Sequence, residues 1–207
     1  MSTLRPDLRV IADLIAPDAS VLDVGCGEGD LLAWLAQHKN VRGRGLELNH
    51  DCVNIAIAKG IAAVQGDIAE DLPFYPEQAY DYTVISLALQ AMDNPPEVLR
   101  ELGRIGKIVI VSVPNFGQWR NRWYLLCKGK MPVTSALSYQ WYETPNIHFC
   151  TIFDFIELAK KMGFEVLQQA AIYPDGTDKK FAGKNAAANL LAEQGVFVLQ
   201  PPTLNHR

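Results

Sequence analysis

Apolar and polar positions along this chain alternate between two periods. Leu8, Ile11, Leu14 and Ile15 recur at helical spacing until Pro17 ends the run, and from there short apolar runs trade places with helix-like patterns. The runs predict strands at Ser20 to Val24, Val41 to Leu48, Ala62 to Gly66, Tyr80 to Leu87 and Lys107 to Val113. Between them, helices are predicted at Asp30 to Gln37, His50 to Lys59 and Pro96 to Leu102. Strand and helix taking turns means βαβ units, parallel pairing and helices on both faces of one sheet. The expected fold is α/β, with a doubly wound, mostly parallel sheet.

Beyond the fifth run the texture changes. From Asn115 to about His148 clear periodicity fades and aromatics crowd in: Phe116, Trp119, Trp123, Tyr124, Tyr139, Trp141 and Tyr142. A helical pattern resumes at Thr151, with Phe155, Leu158 and Ala159 on one side, and Gly163 ends it. Strand-like runs at Phe164 to Ile172 and Gly195 to Leu199 bring the count to seven strands, the last expected to pair antiparallel as an edge hairpin. The polar stretch Pro174 to Lys184 reads as a mobile loop. Residues 1–207 are expected to form one domain with an aromatic-rich insertion at about 115–150.

Composition narrows the function classes. With 49% hydrophobic and 20% charged residues the chain is an ordinary globular one, not a disordered one. A formal net charge of -4 sets the summed field against a polyanion, so nucleic acid is not an expected partner. No run approaches the roughly 18 apolar residues of a membrane span, and Arg5, Asp7, Arg9 and Asp13 break up any leader core, so no membrane association is expected and the cytoplasm is the expected location. Cys26, Cys52, Cys127 and Cys150 lie far apart and form no C-x-x-C pair; buried free thiols are expected and no metal site.

The most informative stretch is VLDVGCGEGDLL, residues 21 to 32, where a strand runs into a turn with glycine at every second position before a helix. Such a turn brings backbone N–H groups and a helix N-terminus to one point, with no side chains in the way. A dinucleotide fingerprint would require a small third residue at position 30, which holds Asp30; beside Glu28 it would repel a pyrophosphate. A ligand with positive charge and no phosphate is favoured over NAD. Glu47 stands 22 positions after Gly25, at the end of the second strand, where an acid in such folds accepts from ribose hydroxyls; a solvated acid ahead of an Asn49 helix cap is the plainer alternative. After the third strand come Gly66, Asp67 and Ile68, an acid able to accept from an adenine amino group beside an apolar side chain able to pack on the ring, or a plain turn aspartate.

Taken together, D-V-G-C-G-E-G, Glu47 and Gly66-Asp67-Ile68 resemble the class I S-adenosylmethionine-dependent methyltransferases. The resemblance implies S-adenosylmethionine as cofactor. It implies Gly25 and Gly27 along the methionyl part, Asp23 orienting the turn and taking a water-mediated bond from the ammonium, Glu47 at the ribose, and Asp67 with Ile68 at adenine, with Leu48 also among the cofactor-binding residues. VSVPNFGQWRNRWYLLCKGKMPVT and YQWYETPNIHFCTIFDF are more specific, and from about residue 3 to 199 the chain resembles the methionine biosynthesis protein MetW family. That likeness implies a protein of methionine biosynthesis that works with a homoserine O-acyltransferase of the MetX type.

The alternative is a methyltransferase acting on a small-molecule substrate whose acceptor the sequence does not identify. No catalytic acid or base declares itself; His148, Asp93 and Tyr142 are the candidates. Nine of the 19 aromatics fall between Phe116 and Phe153, so Trp119, Arg120, Arg122, Trp123, Trp141 and Tyr142 read as a partner surface, a lid over the ligand or a small satellite core.

Overall fold

The structure, a computed structural model, describes residues 4–133 and 148–202. Helix α1 (Pro6–Leu14) begins with proline at its first position, where the missing N–H is harmless. There follow β1 (Ser20–Val24), α2 (Asp30–Lys39), β2 (Arg42–Glu47), α3 (His50–Ala58), β3 (Ala62–Gln65), the short α4 (Ile68–Asp71), β4 (Tyr80–Ser86), α5 (Pro95–Ile105) and β5 (Gly106–Pro114). The rest comprises α6 (Trp119–Lys128), α7 (Ile152–Lys161), β6 (Glu165–Ile172), β7 (Asp178–Phe181), α8 (Ala186–Leu191) and β8 (Gln194–Gln200).

The strands form one sheet in the order β3-β2-β1-β4-β5-β8-β6-β7. The first five are parallel, and β8 runs antiparallel to both β5 and β6. The expected architecture therefore holds, but with eight strands among the described residues instead of seven. The extra strand is β7, which pairs with β6 across a turn in the stretch expected to be a loop: Gly176 takes φ +76°, and the Asp175 carboxylate accepts from the Thr177 N–H and hydroxyl. Its sequence, Asp-Lys-Lys-Phe, lacks apolar alternation because it is an edge strand, and lysines there discourage further pairing.

Period-2 alternation divides the core between the two faces. Leu22, Val24, Ile85, Val109, Val111 and Val113 pack with α5 and α7, while Val21, Val84 and Ile110 pack with α1 and α2. Asp23, Ser86 and Ser112 share the parity of this second set, so three polar residues point toward α1 near the carboxyl ends of their strands. Parity thus places polar side chains beside the glycine turn that no single motif would have grouped with it.

Two short helices and α6 were not legible as helices. In α6, WRNRWYLLCK lacks an inward apolar stripe and buries only Asn121, so its periodicity does not point at the core. Trp141, Tyr142 and Tyr139 lie outside the described residues.

Candidate functional site at the carboxyl ends of the strands

The register of β1 against β2 pairs Val24 with Leu46, so the glycine turn and Glu47 leave the sheet side by side. The Gly25 N–H donates to the Leu46 carbonyl at 2.8 Å, carrying the pairing one residue past the strand. Gly25, Gly27 and Gly29 all take positive φ, at +73°, +53° and +74°, a region that penalises any other residue. A Cβ at Gly25 would stand 3.2 Å from the Ala88 Cβ, whereas one at Gly27 would meet nothing within 4 Å. The turn is thus packed from below at Gly25 and open at Gly27.

Glu47 is half-buried and occupied. One carboxylate oxygen accepts from the Gly27 N–H at 2.9 Å and the other from the Asn49 N–H at 2.9 Å. A carboxylate has about four acceptor positions, so two remain for hydroxyl donors. Asn49 caps α3 by accepting from the N–H groups of Asp51 and Cys52. The cap expected of Asn49 is present, and Glu47 is not merely solvated.

β3 brings up the third element. Glu47 pairs with Gln65, and the Gly66 N–H donates to the Glu47 carbonyl at 3.0 Å, which sets Asp67 beside Glu47 at the strand ends. Asp67 caps α4, one oxygen accepting from Ala69 N–H at 2.7 Å and Glu70 N–H at 3.4 Å. Ile68 is buried, with its Cδ1 3.9 Å from where a Gly25 Cβ would lie, while Leu48 is 61% exposed at the rim. All seven expected residues, Asp23, Gly25, Gly27, Glu47, Leu48, Asp67 and Ile68, therefore lie at the same ends of three neighbouring strands.

Asp23 is the most perturbed acid here. It is 2% exposed and its Oδ1 has no hydrogen-bond partner among the described residues. Burial pushes its pKa up to about 7; the Arg5 guanidinium pulls it down, and the charges of Glu47 and Asp7 push it further up. An unpaired buried oxygen of this kind matches a cationic donor such as an ammonium.

Arg5 and Asp7 are the residues that sequence reasoning missed. Asp7 is 1% exposed, and the Arg5 guanidinium donates to both of its oxygens at 3.1 and 3.0 Å. The Ser86 hydroxyl donates to Asp7 at 2.6 Å and accepts from Arg5 at 3.0 Å, and the Leu87 N–H donates to the Ser112 hydroxyl at 3.1 Å. This network anchors the start of α1 to the ends of β4 and β5, beside Asp23. Leu87 carries φ +52°, a conformation leucine rarely adopts, and holds the chain between Ser86 and Ala88. The one usable signal was the strand parity of Ser86 and Ser112.

Two expectations need correcting. Glu28 and Asp30 do not stand as free negative charges: the Lys59 ammonium lies 2.6 Å from Asp30 and 3.4 Å from Glu28. Their repulsion of phosphate is thereby partly offset by the one ammonium, and the acids Asp23, Glu47 and Asp67 complete the rim. Nor are all four thiols buried, since Cys127 is exposed and the other three are partly buried. Cys26 packs over Gly45, where a Cβ would lie 2.4 Å from its sulfur, and burial with Asp23 and Glu47 nearby pushes its pKa up to about 12. It is an inert packing group.

His148 and Asp93 come together in a cavity of about 460 Å³ lined also by Leu89, Gln90, Val113 and Phe155. The His148 N–H donates to the Gln90 carbonyl at 2.8 Å. Its wall includes Leu89, which follows in sequence the Ala88 that packs under Gly25. Tyr142 lies outside the described residues.

Residues 5–199 match the family model described as methionine biosynthesis protein MetW. Over 165 residues the chain is 32% identical to the bifunctional methionine biosynthesis protein MetXA/MetW of Rhodopirellula baltica, covering 75% of this chain and 26% of that protein. It thus spans about a quarter of that relative's length. It is 25% identical over 170 residues to a demethylmenaquinone methyltransferase of Listeria monocytogenes serotype 4a, covering 72% of this chain and 71% of that one. Among solved structures, an S-adenosylmethionine-dependent methyltransferase of Thermotoga maritima, described as a possible histamine N-methyltransferase, superposes with a TM-score of 0.69 at 19% identity, covering 95% of this chain and 88% of the other. At that identity the likeness is one of fold: this is the class I methyltransferase architecture.

Proposed function

Because the chain belongs to the methionine biosynthesis protein MetW family, we propose that it serves that pathway as an S-adenosylmethionine-binding companion of a homoserine O-acyltransferase of the MetX type. The observation that carries the partnership is the bifunctional relative, in which one polypeptide bears both the MetXA and the MetW names. Fusion holds two modules at an effective concentration in the millimolar range, and separate chains must achieve the same proximity through an interface.

The ligand reading rests on the chemistry of the rim. S-adenosylmethionine is a sulfonium and an ammonium with no phosphate, and it suits a rim that carries the acids Asp23, Glu47 and Asp67. On this reading Asp23 faces the ammonium through its unpartnered oxygen, and Glu47 offers its two remaining acceptor positions to ribose hydroxyls. Gly27 leaves room for the methionyl part, and Asp67 with Leu48 and Ile68 faces the adenine. When bound, the cofactor supplies an electrophilic methyl group. The chain's own residues bind and orient it. The ligand alters the partner's activity only to the extent that it binds one state of the pair better than another.

A second reading, methyl transfer to a small-molecule acceptor, is favoured by the cavity whose wall holds Asp93, His148 and Leu89. An acceptor amine or hydroxyl there would have a proton acceptor within the cavity wall. The two readings part on turnover. Purified protein given S-adenosylmethionine and homoserine-pathway metabolites releases S-adenosylhomocysteine only under the second. Under the first, it co-purifies with the acyltransferase and changes the acylation rate when S-adenosylmethionine is added. Failure of both co-purification and the rate effect would remove the partnership.

A further inference from the structure

Helix α6 is built inside out. Trp119, Trp123 and Leu126 recur at i, i+4 and i+7, the spacing of one helix face, and are 45%, 61% and 77% exposed. A ten-residue helix is marginal by itself in water, so α6 depends on what fastens it. The fastening is polar. Asn115 donates to the Asn189 and Ala192 carbonyls at 2.9 and 2.8 Å and accepts from the Gly117 N–H, Gln118 caps the helix by accepting from the Arg120 N–H, and Arg122 donates back to the Gly117 carbonyl. In the PNFGQWRNR segment, then, the polar residues hold the helix in place, and the tryptophans do not join the core. The satellite-core reading fails for Trp119 and Trp123.

Charge says what can cover this stripe. From Asn115 to Val133 there is no acidic residue, while Arg120, Arg122, Lys128 and Lys130 give a charge of +4 on a chain whose total is -4. A second copy pairing α6 with α6 about a two-fold axis would set these cations against each other. A separate protein with an apolar groove bordered by acids fits both the stripe and its rim. Exposed tryptophans flanked by arginine are what the centres of such interfaces are made of.

We infer that the Trp119–Trp123–Leu126 face of α6, rimmed by Arg120 and Arg122, is the surface on which the homoserine O-acyltransferase docks, in an apolar groove with an acidic border. This rests on the partnership proposed above, and the relative that carries both names in one polypeptide is the reason for choosing that occupant over others. The tryptophans anchor and the cations set orientation and encounter rate.

The test is capture of the source organism's acyltransferase by the full-length chain, followed by surface plasmon resonance. Three chains are compared: wild type, Trp123→Ala/Leu126→Ala, and Arg120→Glu. The substituted side chains are exposed, so melting temperature and S-adenosylmethionine binding should match wild type and report that each variant is folded. The expected result is at least 30-fold weaker affinity for the apolar double variant. For the charge variant, slower association and the loss of the wild type's salt dependence are expected. Equal capture by wild type and both variants overturns the assignment of α6 while leaving the partnership standing. The assignment also falls if the apolar variant instead abolishes self-association or sedimentation with anionic vesicles. No capture by wild type overturns both.

Discussion

Glu47 accepts a hydrogen bond from the backbone N–H of Gly27 at 2.9 Å, tying the tip of β2 to the turn that follows β1. The acid that would read a ligand is therefore also part of the scaffold that shapes the ligand's bed. Its other oxygen takes the Asn49 N–H at 2.9 Å, so the carboxylate is held in place before any ligand arrives, and little ordering entropy remains to be lost on binding.

Replacing Glu47 consequently acts in two ways. Glu47→Ala is expected to weaken S-adenosylmethionine binding by about 1.5–3 kcal/mol, roughly 10- to 150-fold, and to lower stability as well by freeing two N–H groups. Glu47→Gln keeps one acceptor oxygen but turns an amide donor toward the other N–H, so it should fall between the two. Calorimetric titration of the three proteins checks the order; equal affinities would remove Glu47 from the site.

Asp23 makes stability depend on pH. Its pKa in the folded protein is pushed up to about 7, chiefly by burial, so the folded state holds this proton more tightly than the unfolded chain does. The contribution is full below the ordinary carboxylate range near ~4 and is lost as pH rises through about 7. Asp23→Asn carries no such loss, so its melting temperature should gain on wild type between pH 5 and pH 8, by an amount on the order of a few kcal/mol. Each kcal/mol is worth about 2–4 °C for a chain of this size. Scanning calorimetry at both pH values tests it; a constant gap would mean that Asp23 is ionised throughout.

How much of this was legible follows from where the information sits. Asp23, the glycines, Glu47 and Asp67 announce themselves because strand ends and glycine spacing are local features, and parallel register brings local features to one edge. Arg5 and Asp7 could not be found that way, since their partners Ser86 and Ser112 are 79 residues or more distant in sequence from Asp7. Lys59 likewise offsets Glu28 and Asp30 from the far end of the next helix, which is why an electrostatic argument from the turn alone overstated their charge. Edge strand β7 escaped for a different reason: a strand with no buried face has no alternation to read.

Arg5→Ala tests the anchor of α1. It would leave the buried Asp7 carboxylate with the Ser86 hydroxyl but no cation. The expected cost is about 1–3 kcal/mol, a fall of several degrees in melting temperature. Arg5→Ala/Asp7→Ser should recover part of it, because the stranded charge goes with the second change. No cost for Arg5→Ala would mean that α1 is held by its apolar contacts alone, and no recovery in the double variant would mean that the stranded Asp7 charge is not the source of the loss.

The glycine turn separates packing from access. Gly25→Ala and Gly27→Ala both force alanine to positive φ, costing about 1–2 kcal/mol each by backbone strain. Gly25→Ala also meets Ala88 at 3.2 Å and should be the less stable of the two. Gly27→Ala places its methyl in open space over the turn, and should lose ligand affinity out of proportion to its stability. Paired thermal melts and titrations decide this; proportional losses in both would contradict it.

The most direct measurement is isothermal titration of S-adenosylmethionine into the wild-type protein at pH 7.5, repeated with NAD and with the Asp23→Asn variant. The account predicts saturable binding of one S-adenosylmethionine per chain, none of NAD, and a loss of affinity of tenfold or more in the variant. Absence of saturable binding, or equal binding by wild type and Asp23→Asn, would contradict it.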